Sequence, residues 1–313
     1  MMTFDDTRAP LLDIRGLAKR YDRFALDGIS LRVEPGEIVG FVGQNGAGKS
    51  TTMKCALGLI APTAGSVRVM GVPVDEFVRT PGLKAQVGVV FDTVAFREHL
   101  TVAQATGMLA GVYGAWDADL CKRLLGRFDL PAAASVQELS RGMGMKLSLA
   151  CALAHHPRLL LLDEATAGLD PIAREDILDL LLEYVGQTDA AGNPVNGVLM
   201  SSHITSDLER AADRIVCVHE GRPVFDRSKD DIADVAGMAR CRADEAADLV
   251  AWLKGRGMPA RVVAQPYGAD VLVDDRMRAM EAFPKIAWER VSVEQYMVMM
   301  LRGAMVPARD EEA

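Results

Sequence analysis

Nine residues, GQNGAGKST at positions 43–51, constrain this chain more than any other stretch. They continue an apolar run of strand length, EIVGFVG at 37–43, and lead into residues 49–59, whose apolar positions recur at helical spacing. A G-x-x-x-x-G-K-[ST] run between a strand and a helix can curl so that successive backbone N–H groups face one centre. The following helix adds its positive N-terminal end, so the turn suits a polyphosphate. Gly43, Asn45, Gly46, Gly48, Lys49, Ser50 and Thr51 form this cradle. Lys49 can reach the β and γ phosphates, and the Ser50 hydroxyl can ligate Mg²⁺.

The complementary part is RLLLLDE at 158–164, a continuous apolar run that reads as a central parallel strand covered on both faces. It ends in Asp163 and Glu164. A carboxylate at that place can hold Mg²⁺ through water, and the next can orient and deprotonate an attacking water, so Asp163 takes the metal role and Glu164 the general-base role. The bland alternative is that both acids cap a turn. The helix IAREDILDLLLEYV and a second buried run, GVLMSSH ending at His203, complete a strand, helix, strand order that means a parallel α/β core. A guanine-reading N-K-x-D is missing, because the only asparagines are Asn45, Asn193 and Asn196.

Composition sets the outer limits. A chain of 313 residues, 50% hydrophobic and 25% charged, can bury a sizeable core and has room for about two domains. Its net charge of −8 argues against a nucleic-acid partner. Five scattered cysteines without a C-x-x-C pair read as reduced thiols in a cytosolic protein. The opening MMTFDDTRAP lacks the basic-then-apolar order of a signal peptide, and no apolar run approaches the roughly 20 residues that span a bilayer. A composition shift near Asp230 divides the chain into 1–229, with a helical subdomain at 93–150, and a small α+β domain at 230–313. In the latter a strand, a helix and two more strands precede an amphipathic helix, VSVEQYMVMMLRG, whose methionines read as core filling.

LSRGM at 139–143, LLLLDEAT at 159–166, AGLD at 167–170 and SSH at 201–203 resemble, in order and spacing, the signature, second Walker motif, D-loop and H-loop of the ATP-binding subunit of an ABC transporter. The resemblance runs over residues 11–225. It implies an α/β fold with a P-loop NTPase core of the ABC type, and a head-to-tail dimer in which each ATP, with Mg²⁺, lies between the cradle of one copy and the signature of the other. Ser140 and Gly142 would meet the γ phosphate across that interface, His203 would hold the γ phosphate and the attacking water, and Asp170 would sense the second site. Tyr21, in KRYDRFALDGIS, stands where the family stacks an aromatic on adenine.

Three departures qualify the likeness. Asp92 replaces the Q-loop glutamine; it reads either as a turn former or as a coupling residue near the metal, a position where exporters of antimicrobial peptides carry glutamate. Arg141 and Met143 replace a glycine and a glutamine of the signature, and the added cation could pair with phosphate or with an interface acid. GQTDAAGNPVNG at 186–197 is a long polar connection, read as a solvated loop. Only about fifty residues separate Asp92 from Ser140, as in ABC-2 type exporters whose six-span membrane subunit is a separate chain. The resemblance therefore implies the motor of a two-component exporter, on the cytoplasmic face of the cell membrane, paired with a polytopic membrane subunit and with a second copy of itself. The other reading is a soluble ABC ATPase that remodels a protein partner. A degenerate, non-hydrolysing subunit is opposed by Lys49, Asp163, Glu164 and His203 all being present.

Overall fold

The computed structural model describes residues 9–306; most of the acidic N-terminal stretch examined for a signal peptide, up to residue 8, lies outside the described residues. The chain forms two compact units, Met1–Pro223 and Val224–Ala313.

In the first unit, β1 (Leu12–Arg20), β2 (Ala25–Val33), β3 (Ile38–Val42), α1 (Lys49–Ala56), β4 (Ala64–Val69) and β5 (Val72–Pro73) come first. Two single-turn helices, α2 (Val74–Phe77) and α3 (Pro81–Lys84), lead to β6 (Val87–Val90). The helical part holds α4 (Val102–Ala110), α5 (Ala118–Arg127) and α6 (Arg141–Leu153). Then β7 (Leu159–Asp163), α7 (Pro171–Val185), β8 (Gly197–Ser202), α8 (Thr205–Ala211) and β9 (Arg214–His219) alternate.

The strands β9-β3-β8-β7-β6 are neighbours in that order, and every pair among them is parallel. All residues of β3, β7 and β8 are buried, which is why their sequences show apolar runs rather than alternation. A second, antiparallel sheet, β2-β1-β4-β5, packs through Leu12, Ile14, Leu31 and Val67 into one core with Phe41 of β3, Met53 of α1, Leu161 and Leu199. Each such large apolar side chain contributes about 1.5–3 kcal/mol by leaving water. The parallel register brings the C-terminal ends of β3, β7 and β8 to one edge, where ligand sites of open α/β sheets form.

Side chains start the helices that flank this edge. Ser140 caps α6 by accepting from Met143 N at 3.2 Å, and Asp170 caps α7 by accepting from Ala173 N at 2.9 Å. The long connection after α7 is exposed at its tip, as expected, but it is ordered by Asp189, whose carboxylate accepts from the backbone N–H groups of Ala191 and Asn193.

The transition between units falls within β10 (Arg222–Ser228), some residues before the expected 229/230 boundary. Phe225 belongs to the second unit because its ring is buried edge-on against Tyr296, 5.0 Å between centroids; the polar SKDD run that suggested the boundary follows it. Beyond lie β11 (Gly237–Cys241), α9 (Ala243–Gly255), β12 (Ala260–Gln265), β13 (Gly268–Val273), α10 (Arg276–Ala282), β14 (Ala287–Glu289), α11 (Val293–Arg302) and β15 (Ala304–Val306). The sheet β14-β11-β13-β12-β15 is antiparallel throughout and buries Val271, Val273, Leu249 and Leu253. The short β14 and β15 and the helix α10 go beyond the expected elements; the two strands have three residues each and α10 seven, too few to show a clear period. Val293, Tyr296 and Met299 form the buried stripe of α11. All five cysteines are buried and unpaired. No helix of the described residues is long and apolar enough to cross a membrane.

Candidate functional site

The turn between β3 and α1 is possible only with glycine at its critical places. Gly48, the residue capping α1, has φ 110°, and a Cβ there would lie 2.2 Å from the Leu26 side chain. A Cβ on Gly43 would fall 2.4 Å from the Val218 carbonyl oxygen. Lys49 opens the helix with its side chain 5% exposed and curls back, donating to the Gly43 carbonyl at 2.7 Å. Its ammonium also stands 3.0 Å from Glu164 Oε1. At this distance the two form a charge-assisted pair.

Glu164 sits in the left-handed region at φ 53°, an uncommon and strained setting for a residue with a side chain. Its backbone N–H is pinned there by Ser201, donating to Oγ at 3.0 Å and to the carbonyl at 3.2 Å. The turn swings the side chain back over the cradle, where Oε2 lies 2.6 Å from His203 Nδ1. Burial pushes the Glu164 carboxyl up, but Lys49 and His203 together outweigh it and hold the group below the usual glutamate range. Lys49, Glu164 and His203 thus come from the ends of three strands to one point.

Around them lies an open cavity of about 620 Å³, walled by the cradle residues Asn45, Gly46, Gly48, Ser50 and Thr51 and by Phe24, Asp92, Arg141 and Ala167. Asp163 is not part of this wall. It ends β7 buried, accepting from Ser201 Oγ at 2.7 Å. Ser50, Asp92 and Asp163 are hard oxygen donors at the same edge of the fold, and such a set suits Mg²⁺ with water completing its shell.

The other expected residues stand apart. Ser140, Gly142 and Asp170 do not line the cavity but gather where α6 and α7 begin; a Cβ on Gly142 would meet Asp170 Oδ2 at 3.9 Å. The cap bond to Ala173 N–H holds the exposed Asp170 carboxyl below the usual range. Tyr21 is 46% exposed with Lys19 Nζ 5.6 Å from its ring centre, and it does not reach the cavity. The aromatic in the wall is Phe24, three residues on, whose ring abuts Gly48. Phe24 and Ala167 line the cavity without a role read from the sequence, whereas Arg141 reads from the sequence as a cation able to pair with phosphate or an interface acid. Phe24 carried a signal in the quoted KRYDRFALDGIS; for Arg141 the signal was its departure from glycine.

A strand, glycine cradle and helix, with an acid pair at the end of a parallel strand that β8 separates from the cradle strand, define a P-loop nucleoside triphosphatase. The family described as ABC transporter matches residues 26–167. Nod factor export ATP-binding protein I of Burkholderia pseudomallei (strain 1710b) is 38% identical over 221 residues, which is 68% of this chain and 69% of that protein. ABC transporter ATP-binding protein YtrB of Bacillus subtilis (strain 168) is 32% identical over 206 residues, 66% of this chain and 68% of its own length. A solved ATP-binding subunit of an ABC transporter superposes with a TM-score of 0.63 at 30% identity, covering 71% of this chain and 91% of the other. The chain belongs to the ABC transporter family as an ATP-binding subunit, an ATPase that powers transport. Such subunits act with separate membrane components. The matches to relatives span about two thirds of the chain.

Proposed function

We propose that this chain is the motor of an exporter whose membrane subunit is a separate polytopic protein, and that two copies close head to tail on ATP. The observation that carries the reading is the convergence of Lys49, Glu164 and His203 on a glycine cradle of nucleotide size. The relatives named for export favour outward transport. That Ser140 and Asp170 are exposed and gathered with Gly142 at two helix starts supports a role at the nucleotide of a second copy.

Each residue has a role that its setting supports. Lys49 balances the Glu164 carboxylate; in exchanging it for phosphate oxygens, Lys49 releases an ionised group able to take a proton from water. His203 orients that carboxylate through its bond to Oε2. Mg²⁺, where bound, would supply charge neutralisation at the phosphates, held by Ser50 and Asp163 with Asp92 beside them. Phe24 or Tyr21 would meet the base; Phe24 is the one already at the wall.

The test is recovery of tagged Glu164→Gln protein from detergent-solubilised native membranes with ATP and magnesium, followed by mass spectrometry. Co-purification of a polytopic protein in near-equal amount is expected. A protein that stays with a cytosolic partner instead would keep the ATPase and overturn the exporter reading in favour of a remodelling role.

A further inference from the structure

Asp92 and Arg141, 49 residues apart in sequence, are neighbours in space: Arg141 Nη2 donates to the Asp92 carbonyl at 3.4 Å. The same guanidinium lies over Gly168, whose Cβ, if present, would be 3.6 Å from both Nε and Cζ. Both residues line the phosphate cavity of their own protomer.

Nothing in helix energetics accounts for Arg141 at this place. It is the first residue of α6, where the helix dipole presents its positive end and disfavours a cation, and the first turn holds no acid to offset it. Among the described residues no carboxylate forms an ion pair with Arg141, whereas Lys49, the other lining cation, already faces Glu164. A guanidinium has five N–H donors in a rigid fork. One of them is engaged here, with a carbonyl, which fixes the head without neutralising it.

The charges around the cavity point the same way. Asp92 and Glu164, both acids, line a space that, on the reading above, takes a highly charged anion. A terminal phosphate entering beside Asp92 would meet like charge, which Mg²⁺ and Lys49 would offset in part. Arg141 adds the lining cation that has no carboxylate partner of its own among the described residues.

We infer that Arg141 reads the terminal phosphate from within its own protomer, offsetting Asp92 and making the site distinguish ATP from ADP before a second copy docks. The inference rests on the nucleotide reading of the site. It assigns to the first residue after the Ser140 cap an action in cis, while Ser140 and Gly142 remain available to the opposite copy. A Cβ on Gly168 would stand in ordinary van der Waals contact with the guanidinium; what calls for glycine there is its φ of 72°.

The experiment is equilibrium binding of Mg²⁺ with a non-hydrolysable ATP analogue, and of Mg²⁺ with ADP, to the full chain at concentrations where sedimentation shows single protomers. Arg141→Ala is expected to weaken the ATP analogue about 10-fold and ADP by less than about twofold, the size of a lost charge-assisted hydrogen bond. Arg141→Lys should recover part of the loss. Adding Asp92→Gln to Arg141→Ala should restore affinity for the analogue, because the offending carboxylate is gone. Equal loss for both nucleotides, strict additivity of the two substitutions, or an Arg141→Ala defect found only in dimers would each overturn the inference while leaving the ATPase reading intact. Wild-type protein that bound neither nucleotide would overturn that reading itself. Arg141 is exposed, so unchanged melting of the variant is the expected folding control.

Discussion

Two carboxylates, one in each unit, show how a candidate site differs from a structural network. Asp270, 5% exposed in the second unit, is saturated: Arg240 Nη1 and Gln265 Nε2 each donate to Oδ2 at 2.7 Å, and the Tyr267 hydroxyl donates to Oδ1. Arg240 also reaches Glu289 on the adjoining strand, so the network ties β14, β11 and β13 together. Glu164 in the first unit is equally hemmed by charge, with Oε1 paired to Lys49 and Oε2 to His203, but its backbone has positive φ and its surroundings open into a cavity. Burial pushes both carboxyls up and their partners pull both back below the ordinary range. A perturbed acid by itself therefore does not set the two apart. A strained backbone and open space beside the acid do.

That contrast is sharpest under substitution. Glu164→Gln should lower phosphate release by roughly 10²–10⁴-fold while retaining ATP affinity, because an amide cannot take the proton. An equal loss of binding and turnover would make Glu164 a ligand-holding group and erase the distinction drawn above. Lys49→Ala should weaken nucleotide binding by roughly 10–100-fold in equilibrium titration, since it removes a charged donor from the cradle.

In the second unit the same kind of change should fall on stability alone. Asp270→Asn is expected to cost about 1–3 kcal/mol in denaturant unfolding by leaving Arg240 poorly matched, with ATP turnover of the intact chain unaltered. Altered turnover would show that the Asp270 network communicates with the ATPase. The smallest effect concerns pH. Both folded-state carboxyls are held below their ordinary values, so the stability they add is complete above the unfolded carboxylate range, about pH 4–5, and is lost as pH falls through the lowered folded values. Melting followed from pH 7 downward should be nearly flat at first and then fall. Asp270→Asn should shallow the acid limb.

Much of the core was legible in the sequence. The runs expected at 37–43, 158–164 and 197–203 became Ile38–Val42, Leu159–Asp163 and Gly197–Ser202, because an apolar run of that length closed by a polar or glycine residue has few places other than a buried parallel strand. The helix expected to reach residue 59 stops at Ala56, since Gly58 takes φ 67° and turns the chain. β1 runs from Leu12 to Arg20, its length set by pairing with β2 and β4 on either side. Such ladders reward residues whose own pattern is mixed.

Within the site, the roles expected of Lys49 and Glu164 followed from residue type and spacing, because a phosphate cradle and an acid at a strand end are local arrangements of backbone and side chain; the role expected of His203 came from the family resemblance. Which aromatic meets the cavity was not local. Tyr21 and Phe24 are separated by three residues, and the turn between β1 and β2 sends only the second to the wall. The turning of Asp163 toward Ser201, 38 residues away, and of Arg141 toward Asp92 likewise depend on which strands and helices become neighbours. A sequence specifies dihedral preferences and burial periods over a few residues; contacts across tens of residues are decided only when the packed core selects one strand order from those that the same pattern permits.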